Sequence, residues 1–541
     1  MLTALHTWAR LFEGETAAPF MTALPDILRA RRWFGGKARR IRDVGILDRI
    51  AIPSDSLSML LLIRVEYEDG PTETYTLPVS AAFGGDAEHV RRDMAPAVIA
   101  PFVLQKDSEA ESGLLYDALW SRDCTLALLR AVSVEGRFTG TAGSVTVSCT
   151  DVLGDLLPAG LKSEPVVMRS EQSNTSVAYD AHVILKVYRR VQEGINPDLE
   201  IGRVLTRLRF PHAPLLGGAL EYHAASGSVL TLGVLQQFVA NEGTAWHVSL
   251  EAVKQFFERI DSEHPLDELR DHSAAGLLGL ASEPYPPRLG RHLAGGWLEW
   301  TERLGQRTAE LHDALSRVSN DPAFAPEPLT PDYGQSRHAT LARDLAEALT
   351  LLQGRRTVIP GDRQTQTGFV SELMQAITRT IDAFAAVGPS VPRIRCHGDY
   401  HLGQVLCTGE NVMIIDFEGE PARSLTERRM KHPVLLDLAG MIRSFYYVPS
   451  AFLKGRQLSP SRWASFWSGW MSVAFLKGYL NAAEGSDFWP RNTEDVYRLL
   501  DFYLLEKTVY ELSYELNNRP DWIDIPLEGL VALLNADTHS T

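Results

Sequence analysis

Apolar positions change their period near the middle of the chain. Up to about residue 240 they fall in short runs and alternations, as at 44–47, 58–67 and 73–79, with Glu68-Asp69-Gly70-Pro71 as a turn between the last two. Runs of this length bounded by turn residues predict strands, here a small antiparallel sheet behind an early amphipathic helix. Beyond about 245 the spacing becomes helical, through Trp297, Leu298, Trp300, Leu304, Leu311 and Leu315, and again through 341–353 and 369–386. A Pro-rich stretch at 321–328 predicts a loop between helices. The chain of 541 residues is too long for one core. The pattern divides it into a β-rich unit at 1–100, strands with an inserted helix at 101–240, and a mainly helical part at 241–541.

Two motifs in the helical part carry the chemistry. His397-Gly398-Asp399-Tyr400-His401 is followed by Gln404, and an apolar run at 412–415 ends in Asp416-Phe417-Glu418. Phosphoryl transfer from ATP needs a carboxylate to orient the attacking hydroxyl and oxygen ligands for Mg²⁺. Asp399 fits the first role, and Gln404 with Asp416 fits the second. The spacing parallels the kinase loop, in which an amide follows the catalytic Asp by five residues and a second Asp precedes Phe. Gln reaches one methylene further than Asn, so the loop is expected to be slightly displaced. The plainer account is a hairpin turning at 408–411 with Asp399 in a turn and Asp416 as a cap. A hairpin alone does not explain two placed acids and an amide in this order.

The middle part offers nucleotide contacts. Lys186 lies inside the apolar run at 181–188, where a cation is costly unless it meets an anion, so it is expected to reach phosphate; snorkelling from an edge strand is the alternative. Glu200 falls in the first turn of a helix with Asn196 as cap and Pro197 at its first position, which makes it a partner for Lys186. The loop at 170–175 lacks glycines, yet Ser173 and Asn174 can present backbone N–H groups to phosphate. A strand at 234–239 runs into a flexible connector at 240–244, where backbone near Gln237 and Val239 is expected to meet adenine.

Composition narrows the partners. A net charge of −15 argues against a nucleic-acid backbone as ligand. No apolar run approaches the eighteen or so residues that cross a bilayer, and 1–14 lacks a leader pattern, so a cytoplasmic protein without membrane attachment is expected. Cys124, Cys149, Cys396 and Cys407 form no Cys-x-x-Cys pair and read as reduced, buried small residues. Arg32-Trp33-Phe34-Gly35-Gly36-Lys37 reads as a tight turn anchored by Trp33 rather than an anion grip.

A helix at 499–518 places Lys507, Tyr510, Glu511, Tyr514 and Asn518 at helical spacing, a polar and aromatic face suited to a sugar ring. Asp437 and Arg443, six apart on a predicted helix after the metal motif, either brace the site or touch substrate. The runs 171–176, 196–200, 397–404 and 416–421, together with Glu506-Lys507, Tyr510-Glu511 and 517–522, resemble bacterial maltokinases. That resemblance implies an α+β, two-lobed, aminoglycoside-phosphotransferase-like kinase fold with an N-terminal cap subdomain, ATP and Mg²⁺. It implies conversion of maltose to maltose 1-phosphate for α-glucan synthesis, often alongside trehalose synthase. It further implies Asp399 as base, Gln404 and Asp416 as metal ligands with Glu418 assisting, Lys186 on phosphate, and His401, Lys507 and Tyr514 on the disaccharide. The chain is longer than that pattern around 265–290 and 355–366. A kinase for another small sugar such as glucosamine, and a non-catalytic scaffold for trehalose synthase, remain the alternatives.

Overall fold

The computed structural model describes residues 2–54, 57–106, 109–157, 165–168, 173–259, 273–286, 296–353, 366–456 and 462–537. Of the two stretches that exceed the family pattern, 355–365 lies outside these residues, and 273–286 of the other is described and holds the helix Ala274–Ala281. The described chain forms two units, one of residues 1–209 and 214–240, the other of residues 210–213 and 241–541.

Two sheets build the first unit. In the first, Ile41–Ile52, Ser58–Tyr67, Glu73–Phe83, Glu109–Asp117 and Val98–Lys106 lie side by side as antiparallel neighbours, and Leu2–Leu5 adds a parallel edge. The sheet therefore continues past residue 100 to Asp117. Ser58–Tyr67 is buried on both faces, because the helix Ala18–Arg29 packs Phe20, Leu24 and Leu28 into one core and Leu60 and Leu62 face another. Phe34 is buried in the first core and Trp33 lies against Tyr75, so the run at 32–37 is a turn anchored in the sheet. The second sheet is antiparallel throughout: Arg137–Thr139, Gly143–Cys149, Leu216–Ala224, Val229–Gln237, Val183–Tyr188, Asn174–Tyr179 and Val166–Val167. Arg190–Val191 returns to pair with Glu73–Phe83, and buried Asp48 accepts from Tyr222 (2.8 Å) and from the Thr141 backbone (2.6 Å). The two sheets are thereby tied into one body.

Helices dominate the second unit. The predicted periodicities appear as Trp297–Ser316, Pro331–Gln353 and Gln366–Ala385, followed by Leu435–Gly455, Arg462–Ala483, Thr493–Asn518 and Asp524–Asp537. Within the stretch at 321–328, Glu327–Pro328 forms a short strand with Pro392–Arg393. Trp297–Ser316 and Arg462–Ala483 cross so closely that a β-carbon on Gly305 would press into the Phe475 carbonyl, and one on Gly478 into that of Glu302. Backbone cannot swing aside as a side chain does. Gly478→Ala is expected to cost about 3 kcal/mol, read as a fall in Tm of several degrees. Among the described residues no helix is long and apolar enough to cross a membrane. Cys124, Cys396 and Cys407 are buried, Cys149 is half-buried, and all four are unpaired with one another.

Candidate active site

The strand Val405–Thr408 turns at residues 409–410 into Asn411–Ile414, so the hairpin and the acid motifs coexist. Gly398 adopts a φ of 83°, which only glycine enters freely, and lets the chain turn just before Asp399. Asp416 is left-handed without being glycine, at φ 67°; strain of this kind concentrates at functional sites. Helix Leu435–Gly455 pins the loop from beneath. Asp437 accepts from the His397 N–H (2.8 Å) and the Gly398 N–H (2.9 Å), and Ser444 Oγ accepts from the Leu402 N–H (3.1 Å). Gly440, between them, leaves room for the Tyr400 carbonyl. His312 completes the brace, with Nε2 3.0 Å from Asp437 and Nδ1 2.8 Å from the Tyr479 hydroxyl. Asp437 is thus a brace, buried at 1% exposure.

The two motifs meet through side chains. His397 Nε2 lies 2.9 Å from the Ile415 carbonyl, the Ile415 N–H donates to the Gln404 carbonyl (2.9 Å), and Gln404 Nε2 donates to Asp416 Oδ2 (2.9 Å). Gln404 Oε1 and the Asp416 carboxylate are hard oxygens of the kind Mg²⁺ takes, and since the contact uses the amide nitrogen, the amide would turn its oxygen to face the ion. Glu418, beside them, has Arg428 Nη1 on its carbonyl (3.0 Å) and 4.0 Å from its carboxylate.

Asp399 opens on a narrow pocket that it lines with Gly419, Glu420, Tyr503, Glu506, Lys507 and Tyr510. Lys507 Nζ bridges Asp399 Oδ1 (3.1 Å) and Glu420 Oε1 (2.6 Å). Burial alone would raise the Asp399 carboxyl, but Lys507, His401 and His397 outweigh it and hold the group below the usual aspartate range. The same contacts raise the Lys507 ammonium well above an ordinary lysine against the effect of burial. His401 caps its own turn by accepting from the Gly403 N–H (3.0 Å), with Nε2 3.9 Å from Asp399. Burial lowers its imidazole. Arg423, bonded to Asp344 (2.6 Å) and to Glu420 (3.2 Å), fixes the far side of the pocket.

Several expected contacts are redistributed. Arg443 and Glu511 do not face this pocket: they form a buried ion pair with each other, Nη2 to Oε2 at 2.6 Å, between helices Leu435–Gly455 and Thr493–Asn518. The face turned to the pocket is therefore 503, 506, 507 and 510, one position round from the stripe read in the sequence. Tyr514 stacks on Tyr510 (centroids 6.4 Å apart) and is 44% exposed. Glu420, Glu506 and Arg423 were missed; the alternating acids at 416, 418 and 420 were the signal for the first.

The nucleotide candidates lie in the first unit. Asn196 caps the helix Pro197–Arg207 as expected, and that turn presents Asp198, whose carboxylate receives Lys186 Nζ (3.1 Å) and the Tyr188 hydroxyl (2.9 Å). Asp198 thus joins Glu200, the expected partner two residues on, as an acid of the same first turn. Ser173 is exposed and Asn174 opens a strand opposite Tyr188, while Glu171 and Gln172 lie outside the described residues. The Gln237 N–H donates to the Leu215 carbonyl (2.8 Å). Val239 follows just beyond that strand.

Comparison with known proteins agrees with this arrangement. The family model described as "Phosphotransferase enzyme family" matches residues 239–458, and that described as "Maltokinase N-terminal cap domain" matches 28–120. A glucosamine kinase from Mycolicibacterium smegmatis is 30% identical over 377 residues, 68% of this chain and 79% of that protein. The chain belongs to the maltokinase-like sugar kinases of the phosphotransferase enzyme family. Another member of this kinase family, a glucosamine kinase from Streptacidiphilus jiangxiensis, is 25% identical over 235 residues, 43% of this chain and 48% of that protein. A solved glucosamine kinase in complex with glucosamine, ADP and inorganic phosphate shares the kinase fold, with a TM-score of 0.57 at 16% identity over 94% of this chain and 98% of the other. The cap match to residue 120 agrees with a first sheet that runs to Asp117.

Proposed function

We propose that this sugar kinase transfers the terminal phosphoryl group of ATP to the anomeric hydroxyl of maltose, giving maltose 1-phosphate for α-glucan synthesis, with trehalose synthase as a functional associate. The observation that carries the phosphotransfer reading is an ionised Asp399 held by Lys507 at the mouth of a pocket rich in hydroxyl and carboxylate groups. Asp399 orients the acceptor hydroxyl and takes its proton as the bond to phosphorus forms. A hemiacetal hydroxyl is more acidic than an ordinary alcohol, so a carboxylate of low basicity suffices. Lys507 fixes the Asp399 rotamer, and Tyr510 offers a ring face to the C–H side of a sugar. Lys186, aligned by Asp198, is the cation offered to phosphate. Gln404 and Asp416, with Glu418 assisting, would hold Mg²⁺, which neutralises charge on the phosphates when bound.

Maltose is favoured by the run from Glu506-Lys507 to Trp522, which resembles maltokinases, and by the maltokinase-type cap. Glucosamine is the second reading, because the relative from Mycolicibacterium smegmatis bears that name. The deciding measurement is sugar-dependent ADP release with MgATP on maltose, glucose and glucosamine. We expect kcat/KM for maltose to lead; a lead for glucosamine replaces maltose as the acceptor, and no release with any sugar sinks the kinase reading.

A further inference from the structure

A carboxylate oxygen removed from water is costly unless something bonds it, and an orphan of this kind in a native pocket calls for a ligand or a trapped water. The pocket beside Asp399 contains one. Glu506 is 4% exposed; its Oε2 accepts from Arg337 Nη2, whereas its Oε1 has no hydrogen-bond partner among the described residues. Glu506 stands between Tyr503 and Tyr510 on the pocket-facing side of helix Thr493–Asn518. Two other polar groups of that face are committed. The Tyr503 hydroxyl lies 2.8 Å from that of Tyr333, and Lys507 is shared by Asp399 and Glu420.

We propose that Glu506 is a specificity-determining residue whose Oε1 accepts an O–H of the bound sugar, in the same site as the proposed kinase activity. Arg337 on Oε2 makes the pair neutral, so Oε1 presents a dipolar acceptor with no spare negative charge, suited to a sugar hydroxyl. Burial raises this carboxyl above the ordinary glutamate range while Arg337 opposes it, and a donated hydroxyl would further favour the ionised form.

The test uses Glu506→Ala and Glu506→Gln on the sugar with the highest kcat/KM in the panel above, and on its mono-deoxy analogues. We expect the alanine variant to lose about 10²-fold in kcat/KM and the glutamine variant, which keeps an acceptor oxygen, to recover at least about tenfold of that. The ATP dissociation constant, read separately as a folding control, should change less than about threefold. On one deoxy analogue, the one lacking the contacted hydroxyl, wild type and variants should converge. An equal loss on every analogue means that Oε1 holds only a structural water or braces Arg337, and overturns the proposal. Should the alanine variant fail to fold, Glu506→Leu, which keeps the volume but no acceptor oxygen, carries the same comparison. Because the panel chooses the sugar, loss of the maltose reading leaves this result independent.

Discussion

Asp399→Asn is expected to lower kcat by about 10³-fold while nucleotide affinity stays within about threefold. Asparagine keeps the shape and can still accept from Lys507, so the loop remains braced by Asp437 and Ser444. What disappears is the charge that receives the acceptor proton. Asp399 suits that task because its net environment holds it ionised at neutral pH, although burial by itself pushes the other way. Single-turnover measurements separate the chemical step from binding. A variant that retains more than a tenth of the wild-type kcat would remove Asp399 from the chemistry.

Lys507→Met should give a fall of about 10²-fold in kcat/KM at neutral pH together with a changed pH profile. After burial, Lys507 is the largest influence on Asp399, and it acts in the opposite direction. With the ammonium present, the carboxyl titrates below the usual range and the acid limb of kcat/KM lies at low pH. Without it, burial meets less opposition, the carboxyl titrates higher, and the limb moves to higher pH. Activity at pH 5 should therefore drop by more than activity at pH 8. A profile of unchanged shape, merely scaled down, would show that Lys507 positions sugar without setting the charge of its neighbour.

The two acid motifs were legible because their geometry is local. Gln404 follows Asp399 within one loop and Asp416 ends the returning strand, so chain spacing alone brings them within reach of each other. The Asn196 cap was legible for the same reason. Sequence failed where helix phase decides. Thr493–Asn518 is buried on nearly all sides, so it has no solvent face against which to read its rotation. Glu511 thus turned inward to Arg443, 68 residues away, and Glu506 outward to the pocket. The first sheet outran its expected end because Val98–Lys106, interrupted by Pro101, mixes apolar and exposed positions without a clean alternation.

The loop proposed to perform transfer is propped by one helix, Leu435–Gly455, while the wall proposed to meet the acceptor belongs to another, Thr493–Asn518, and Lys507 is a direct link from that wall to Asp399. Such a division makes acceptor preference separately tunable. An engineer could redraw the second helix around positions 503, 506 and 510 and inherit the transfer chemistry intact, provided the lysine travels with the graft.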